Sequence, residues 1–251
     1  MICKKVTETI PNLKKYINQN IDRLELDTID VISFAGLEDL YLKEIVITGY
    51  LNENKIDHIS MSTSLEKIII TGSALPSLFF LKNLKKLKNI SISNTNIPLL
   101  DGIEKLKIQQ LNLINLTDLN NIDIIPSSVK TLCLNHNSLD NYDVIKDLKI
   151  SSLIAYNENI NYDFLDNHNT IKVLGIKTKN AKDCLDNVRI EYLNTLILKD
   201  FGVNITKHDI NLSNILRNFP NIIALNGESI NKYPDYQQIS RNIKLEKILA
   251  F

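Results

Sequence analysis

Cys133 and His136 are the only cysteine and histidine that lie within a few residues of each other. A thiol beside an imidazole can make an activated nucleophile, provided the two are in hydrogen-bond reach and a third group orients the ring. No such third group stands out nearby, and the blander reading is a small strand residue followed by a polar turn residue. The other histidines, His58, His168 and His208, are isolated, and no two are three or four residues apart as a helical metal pair requires. Acidic pairs such as Glu38–Asp39 and Asp163 with Asp166 fall in segments where charges are usually solvated. Gly49 and Gly72 each follow a threonine and read as matched strand-end turns rather than a phosphate loop. Lys82, Lys85, Lys86 and Lys88 alternate with Leu81, Leu84 and Leu87, the pattern of an amphipathic segment with its lysines in water. No aromatic residue interleaves with them to stack on bases. The residues therefore assign no catalytic group, no metal ligand and no cofactor, and the expectation is a protein that is not an enzyme.

Composition narrows the classes further. The chain has 251 residues, with Lys+Arg 29 and Asp+Glu 29, so its formal net charge is zero. That balance argues against a general nucleic-acid binder and against a polybasic membrane-surface protein. Apolar runs are too short to cross a bilayer. No apolar stretch follows Lys4 and Lys5 to make a secretion signal. With only 3 Cys, this reads as a reduced, cytoplasmic protein, expected to be a monomer. Leu, Ile and Asn are abundant while Gly is only 7, a bias that directs attention to repeats.

One pattern recurs: apolar-x-x-apolar-x-apolar. It reads Ile21-Leu24-Leu26, Leu42-Ile45-Ile47, Leu65-Ile68-Ile70, Leu87-Ile90-Ile92, Ile108-Leu111-Leu113, Val129-Leu132-Leu134, Ile150-Leu153-Ala155 and Ile171-Leu174-Ile176. Leu193-Leu196-Leu198, Phe219-Ile222-Ala224 and Leu245-Ile248-Ala250 complete the series. The steps between starts are 21, 23, 22, 21, 21, 21, 21, 22, 26 and 26 residues. With the first apolar residue as position 1, position 11 holds Val31, Leu75, Ile97, Leu139, Ile160, Ala181 and Val203. Position 14 holds Phe34, Leu78, Leu100, Tyr142 and Cys184, and position 17 holds Leu37, Leu81, Ile103, Ile124 and Ile145. One unit cannot bury its apolar face alone, but stacked neighbours can.

The units Leu87-Lys-Asn-Ile-Ser-Ile-Ser-Asn-Thr-Asn-Ile97 and Val129-Lys-Thr-Leu-Cys-Leu-Asn-His-Asn-Ser-Leu139 resemble the leucine-rich repeat family. The resemblance covers residues 21–251 and points to the short-repeat class, with a period near 21–22. It departs from the family at position 9, the asparagine ladder. There only Asn137, Ser73 and Thr95 have side chains suited to hold neighbouring backbone. The fold that the resemblance implies is α/β, mostly β on the concave side. It is a right-handed solenoid with a parallel sheet, whose outer segments are short. Residues 1–20 read as an N-terminal cap, with Val6, Ile10, Leu13 and Ile17 at helical spacing around Pro11. Residues 21–251 read as about eleven coils including a C-terminal cap. The longer late steps leave room for a helix within Ile205–Phe219, carrying Leu212, Ile215, Leu216 and Phe219 on one face and stopped by Pro220.

Strict alternation along each strand turns positions 3, 5 and 7 to the open face of the sheet. The first coil places charge there, with Arg23, Glu25 and Asp27. The middle mixes amides with apolar groups: Asn112, Ile114, Asn135, Ile154 and Tyr156, with Lys177 beside them. Apolar and aromatic side chains on an otherwise solvated face mark partner sites. These six residues are the candidate site for a protein partner. The resemblance implies non-catalytic protein recognition. Its runner-up is a regulatory subunit of an intracellular phosphatase or GTPase. The Asn, Ile and Lys bias reads as an AT-rich genome such as that of a virus or intracellular microbe, which would make the partner a host protein and the compartment the host cytoplasm.

Overall fold

The computed structural model describes residues 1–137, 139, 141–157, 160–177, 185, 187–199, 210–234 and 236–249. Ala181, Cys184, Val203, His208 and Ala250 lie outside the described residues. The chain divides into two compact units, Met1–Cys133 with Asn137–Asn141, and Leu134–His136 with Tyr142–Phe251.

In the first unit, β1 (Cys3–Lys5), β2 (Arg23–Asp27), β3 (Glu44–Thr48), β4 (Lys67–Thr71), β5 (Asn89–Ser93) and β6 (Gln110–Ile114) pair in chain order, all parallel. Strand β7 (Thr131–Asn135) has its first three residues in this unit and its last two in the second. The register is that of the repeat: Leu24 lies on Ile45, Ile45 on Ile68, Ile68 on Ile90 and Ile90 on Leu111. Positions 4 and 6 therefore stack as continuous buried columns while positions 3, 5 and 7 face outward.

In the second unit β8 (Ser152–Ala155), β9 (Val173–Lys177), β10 (Thr195–Lys199) and β11 (Ala224–Leu225) pair the same way. Strand β12 (Glu228–Ser229) then folds back antiparallel on β11.

The turns after β3 to β7 share a cause. Position 8 holds Gly49, Gly72, Asn94, Asn115 and His136, with φ of 98°, 74°, 49°, 54° and 55°. Glycine and asparagine tolerate this left-handed region best. The position-8 N–H donates to the position-7 carbonyl of the next coil, as in Gly49 to Thr71 at 2.8 Å, Gly72 to Ser93 at 3.1 Å and Asn94 to Ile114 at 3.0 Å. The pairing of Gly49 with Gly72 as strand-end turns thus extends to five coils.

The outer segments are mostly single 3-10 turns, at Glu38–Leu40, Phe79–Leu81, Asp143–Asp147 and Asp163–Leu165. The second coil, one of the longer early ones, instead carries α1 (Glu53–Met61), capped by Asn52, whose Oδ1 accepts from Lys55 N at 3.0 Å. Helix α2 (Leu212–Asn218) forms where Leu212, Ile215 and Leu216 share a face, and all three are buried. Leu81, Leu84 and Leu87 are buried and Lys82, Lys85, Lys86 and Lys88 exposed, as an amphipathic outer segment requires.

Four details of the sequence reading are corrected. The N-terminal segment is not a helix. It takes the path of a coil, with Val6, Ile10, Leu13 and Tyr16 buried at the offsets of Leu26, Val31, Phe34 and Leu37. Ile10 pairs with Val31, and strand pairing satisfies backbone groups that a short proline-interrupted helix would leave open. Lys4 and Lys5 are exposed on this edge strand, where charge discourages further pairing. In the tenth coil Leu196 pairs with Leu225, so the unit starts at Ile222 and not at Phe219. Phe219 instead follows α2 and is fully buried, and Leu245 and Ile248 lie in helix α3 (Tyr236–Leu249) rather than in a strand. In the fifth coil Ile125 and not Ile124 is buried.

Candidate functional site

On the outward face of the first unit, the charged residues close on one another. Arg23 donates through Nε to Glu25 at 3.0 Å and through Nη1 to Glu44 at 2.8 Å, and Lys67 reaches the same Glu44 oxygen at 3.0 Å. Glu25 and Glu44 in turn hold the Arg23 guanidinium more firmly charged than usual. Asn112 and Ile114 stand on β6 in this unit, both half-buried and outward.

The second unit holds Asn135, Ile154, Tyr156 and Lys177. Asn135 Oδ1 accepts from the backbone N–H of Tyr156 at 3.1 Å, so this amide anchors the turn of the next coil. The Tyr156 ring leans across β9 over Gly175. A Cβ at Gly175 would lie 2.6 Å from Ile154 Cδ1 and 2.9 Å from Tyr156 Oη. Beyond it, Lys199 Nζ sits 4.4 Å from the ring centroid, within cation–π range. Tyr156 is therefore half-buried on the open face. Ile154 and Tyr156 form one apolar platform, and Lys177 and Lys199 are register partners at the ends of β9 and β10. The sequence reading missed Gly175 and Lys199 as parts of this site. A glycine inside a strand, at an outward position next to large neighbours, is a signal of close approach that was available.

Cys133 is half-buried on β7 and His136 is exposed in the left-handed turn, as the structural reading of that pair requires. Among the described residues no group of three or more His, Cys, Asp or Glu could hold a metal ion, and no helix is long and apolar enough to cross a membrane.

Other polar groups serve the stack. At position 9, Asn137 accepts from Leu116 N and donates to Leu113 O, both at 2.9 Å, and Ser73 accepts from Leu51 N at 3.1 Å. Thr95 departs from the ladder and donates within its own coil, to Ser93 O. Asn157 at position 8 takes up the role unexpectedly, donating to Leu134 O and to Tyr142 Oη. His168 is buried and its Nε2 lies 3.1 Å from the Ile145 carbonyl, which only an Nε2–H can serve.

Burial lowers the His168 pKa below its ordinary value, because the charged imidazolium is poorly solvated there. The unfolded chain then takes up a proton near pH 6.5, before the folded one does. The neutral ring's contribution is complete above that pH and is lost as pH falls toward the depressed folded value. Denaturant midpoints measured from pH 7.5 to pH 5 are expected to fall in the wild type and to fall less in His168→Gln, which keeps a donor but cannot titrate. Equal slopes in the two proteins would show that His168 does not govern the acid sensitivity.

No family model and no curated protein matches the sequence. Solved structures do. An internalin from Listeria monocytogenes superimposes with a TM-score of 0.58 at 15% identity, over 86% of this chain and 71% of that one. A leucine-rich repeat protein from Leptospira interrogans gives a TM-score of 0.58 at 15% identity, over 88% of this chain and 63% of that one. The chain thus spans less than two thirds of the Leptospira structure. The parallel ladder with one short strand per 21–23 residues and these superpositions agree: the chain has the leucine-rich repeat fold.

Proposed function

We propose that the protein is a non-catalytic recognition module that binds a protein partner on the outward face of its parallel sheet, with Tyr156 as the anchor. The observation that carries this reading is the platform of Ile154 and Tyr156 laid over Gly175 and rimmed by Lys199. Binding energy concentrates in aromatic anchors held rigid by their neighbours, and a ring pinned between a glycine and a lysine loses little freedom on binding. Ile197 extends the apolar surface on β10, half-buried and outward.

The test is affinity capture from the organism that makes the protein, quantified by mass spectrometry. Tyr156→Ala is expected to weaken capture at least about tenfold, which corresponds to about 1.4 kcal/mol. It should cost about 0.2–1 kcal/mol of stability, the range of a cross-strand pair. Gly175→Ala adds a second arm. Its Cβ meets only flexible side-chain ends, so the fold should tolerate it while the ring is displaced and capture weakens. Lys85→Ala with Lys86→Ala, on the outer side, should leave capture intact. Loss of capture in the lysine variant, with Tyr156→Ala unaffected, would move the site to the outer basic stretch.

A further inference from the structure

The outer side of the first unit carries a groove of about 490 Å³ between α1 and the 3-10 turn Phe79–Leu81. Its volume lies within the range of sites that hold small molecules or short peptide segments. Ile56, Phe79 and Phe80 line it with apolar surface, and Phe79 is 54% exposed. The α1 wall carries Glu53 and Asp57. They are four residues apart on one face of the helix, where like charges repel. Glu53, in the first turn, is explained by the helix dipole, but Asp57 lies beyond the turn in which that effect acts. Both side chains are exposed.

The helix's own cation cannot neutralise them. Lys55 is buried, donates to the Thr28 carbonyl at 2.8 Å and lies over Phe34, on the other face. His58 pairs with Glu38 at 3.0 Å, also away from the groove. On the opposite wall Lys82 Nζ sits 3.6 Å from the centroid of Phe79. That contact engages Lys82 with the ring, and the acidic side of the groove is the α1 wall.

We propose that this groove binds a short segment of a partner protein presenting an arginine or lysine next to a large apolar side chain. The cation is held by Glu53 and Asp57, and the apolar chain lies over Ile56, Phe79 and Phe80. The site is separate from the Tyr156 platform, so either can stand without the other.

The probe is a library of random peptides of about a dozen residues displayed on phage, selected against the intact chain. Enriched sequences are expected to pair Arg or Lys with Leu, Ile, Met or an aromatic residue. Synthetic copies should lose at least about tenfold in affinity on Glu53→Gln with Asp57→Asn and on Phe79→Ala, and be unaffected by Tyr156→Ala. The carboxylates are exposed, so the melting curve of the double variant should move only slightly, the lost dipole contact of Glu53 being offset by the relieved repulsion. Three outcomes overturn the proposal: no enrichment; enrichment of acidic sequences, which would assign the surface to Lys82 and its neighbours; and peptides indifferent to Glu53 and Asp57 but lost on Tyr156→Ala. The last of these would leave the sheet-face reading standing.

Discussion

Replacing Leu111 or Leu132 by alanine is expected to lower the unfolding free energy by about 2–5 kcal/mol, the range for large-to-small changes in a packed core. Both are fully buried at position 4. Leu111 lies level with Ile90 of the preceding strand, and each such column is continuous through its neighbours. Removing one side chain leaves a void that stacked coils cannot close without shifting register, since strands inside the ladder are held by neighbours on both edges. Lys85, exposed on the outer segment, is the control, and Lys85→Ala should change stability by at most about 0.5 kcal/mol. Urea melts of the three variants decide the matter. If Leu132→Ala melts like Lys85→Ala, the position-4 column does not support the fold.

Gly102→Ala is expected to be comparably severe, at about 2–5 kcal/mol, although it adds a single methyl group. Two effects combine there. The residue has φ of 107°, a region costly for any L side chain, and its Cβ would lie 2.4 Å from Phe79 Cα and 2.7 Å from the Leu78 carbonyl oxygen. Those are backbone atoms of the preceding coil's outer segment, so no rotamer change relieves the clash. Gly72 isolates the conformational part. Its φ is 74°, but a Cβ would meet only Gly49 N at 3.9 Å, so Gly72→Ala should cost about 1–2 kcal/mol. Thermal melts giving equal losses for the two alanines would mean that contact between outer segments at Gly102 is unimportant. A larger loss at Gly102 would show that close contact with the preceding coil's backbone adds to the conformational cost there.

How far each feature could be read in advance depends on the distance over which it is decided. The period, the buried columns at positions 4 and 6, the outward row at positions 3, 5 and 7 and the strand-end turns at Gly49 and Gly72 were all legible in the chain itself. Strand alternation and the repeat are local patterns, and a slip of one residue would turn every apolar side chain to water. The helix at Leu212–Asn218 was legible for the same reason, from apolar spacing and Pro220.

Tertiary structure decided the rest. Val6, Ile10 and Leu13 fit a helix and a coil equally well, and the choice fell to backbone pairing with residues about twenty positions away. The tenth coil starts at Ile222 because β10 offers its register to Leu225, a long-range contact that outweighs the pattern at Phe219. At the candidate site the types and positions of Ile154 and Tyr156 were legible, but not that Tyr156 would lie over Gly175 and under Lys199. The direction in which a side chain leans across a sheet depends on the space its neighbours leave. Gly175, by having no side chain, leaves that space on a strand seventeen or more residues further along.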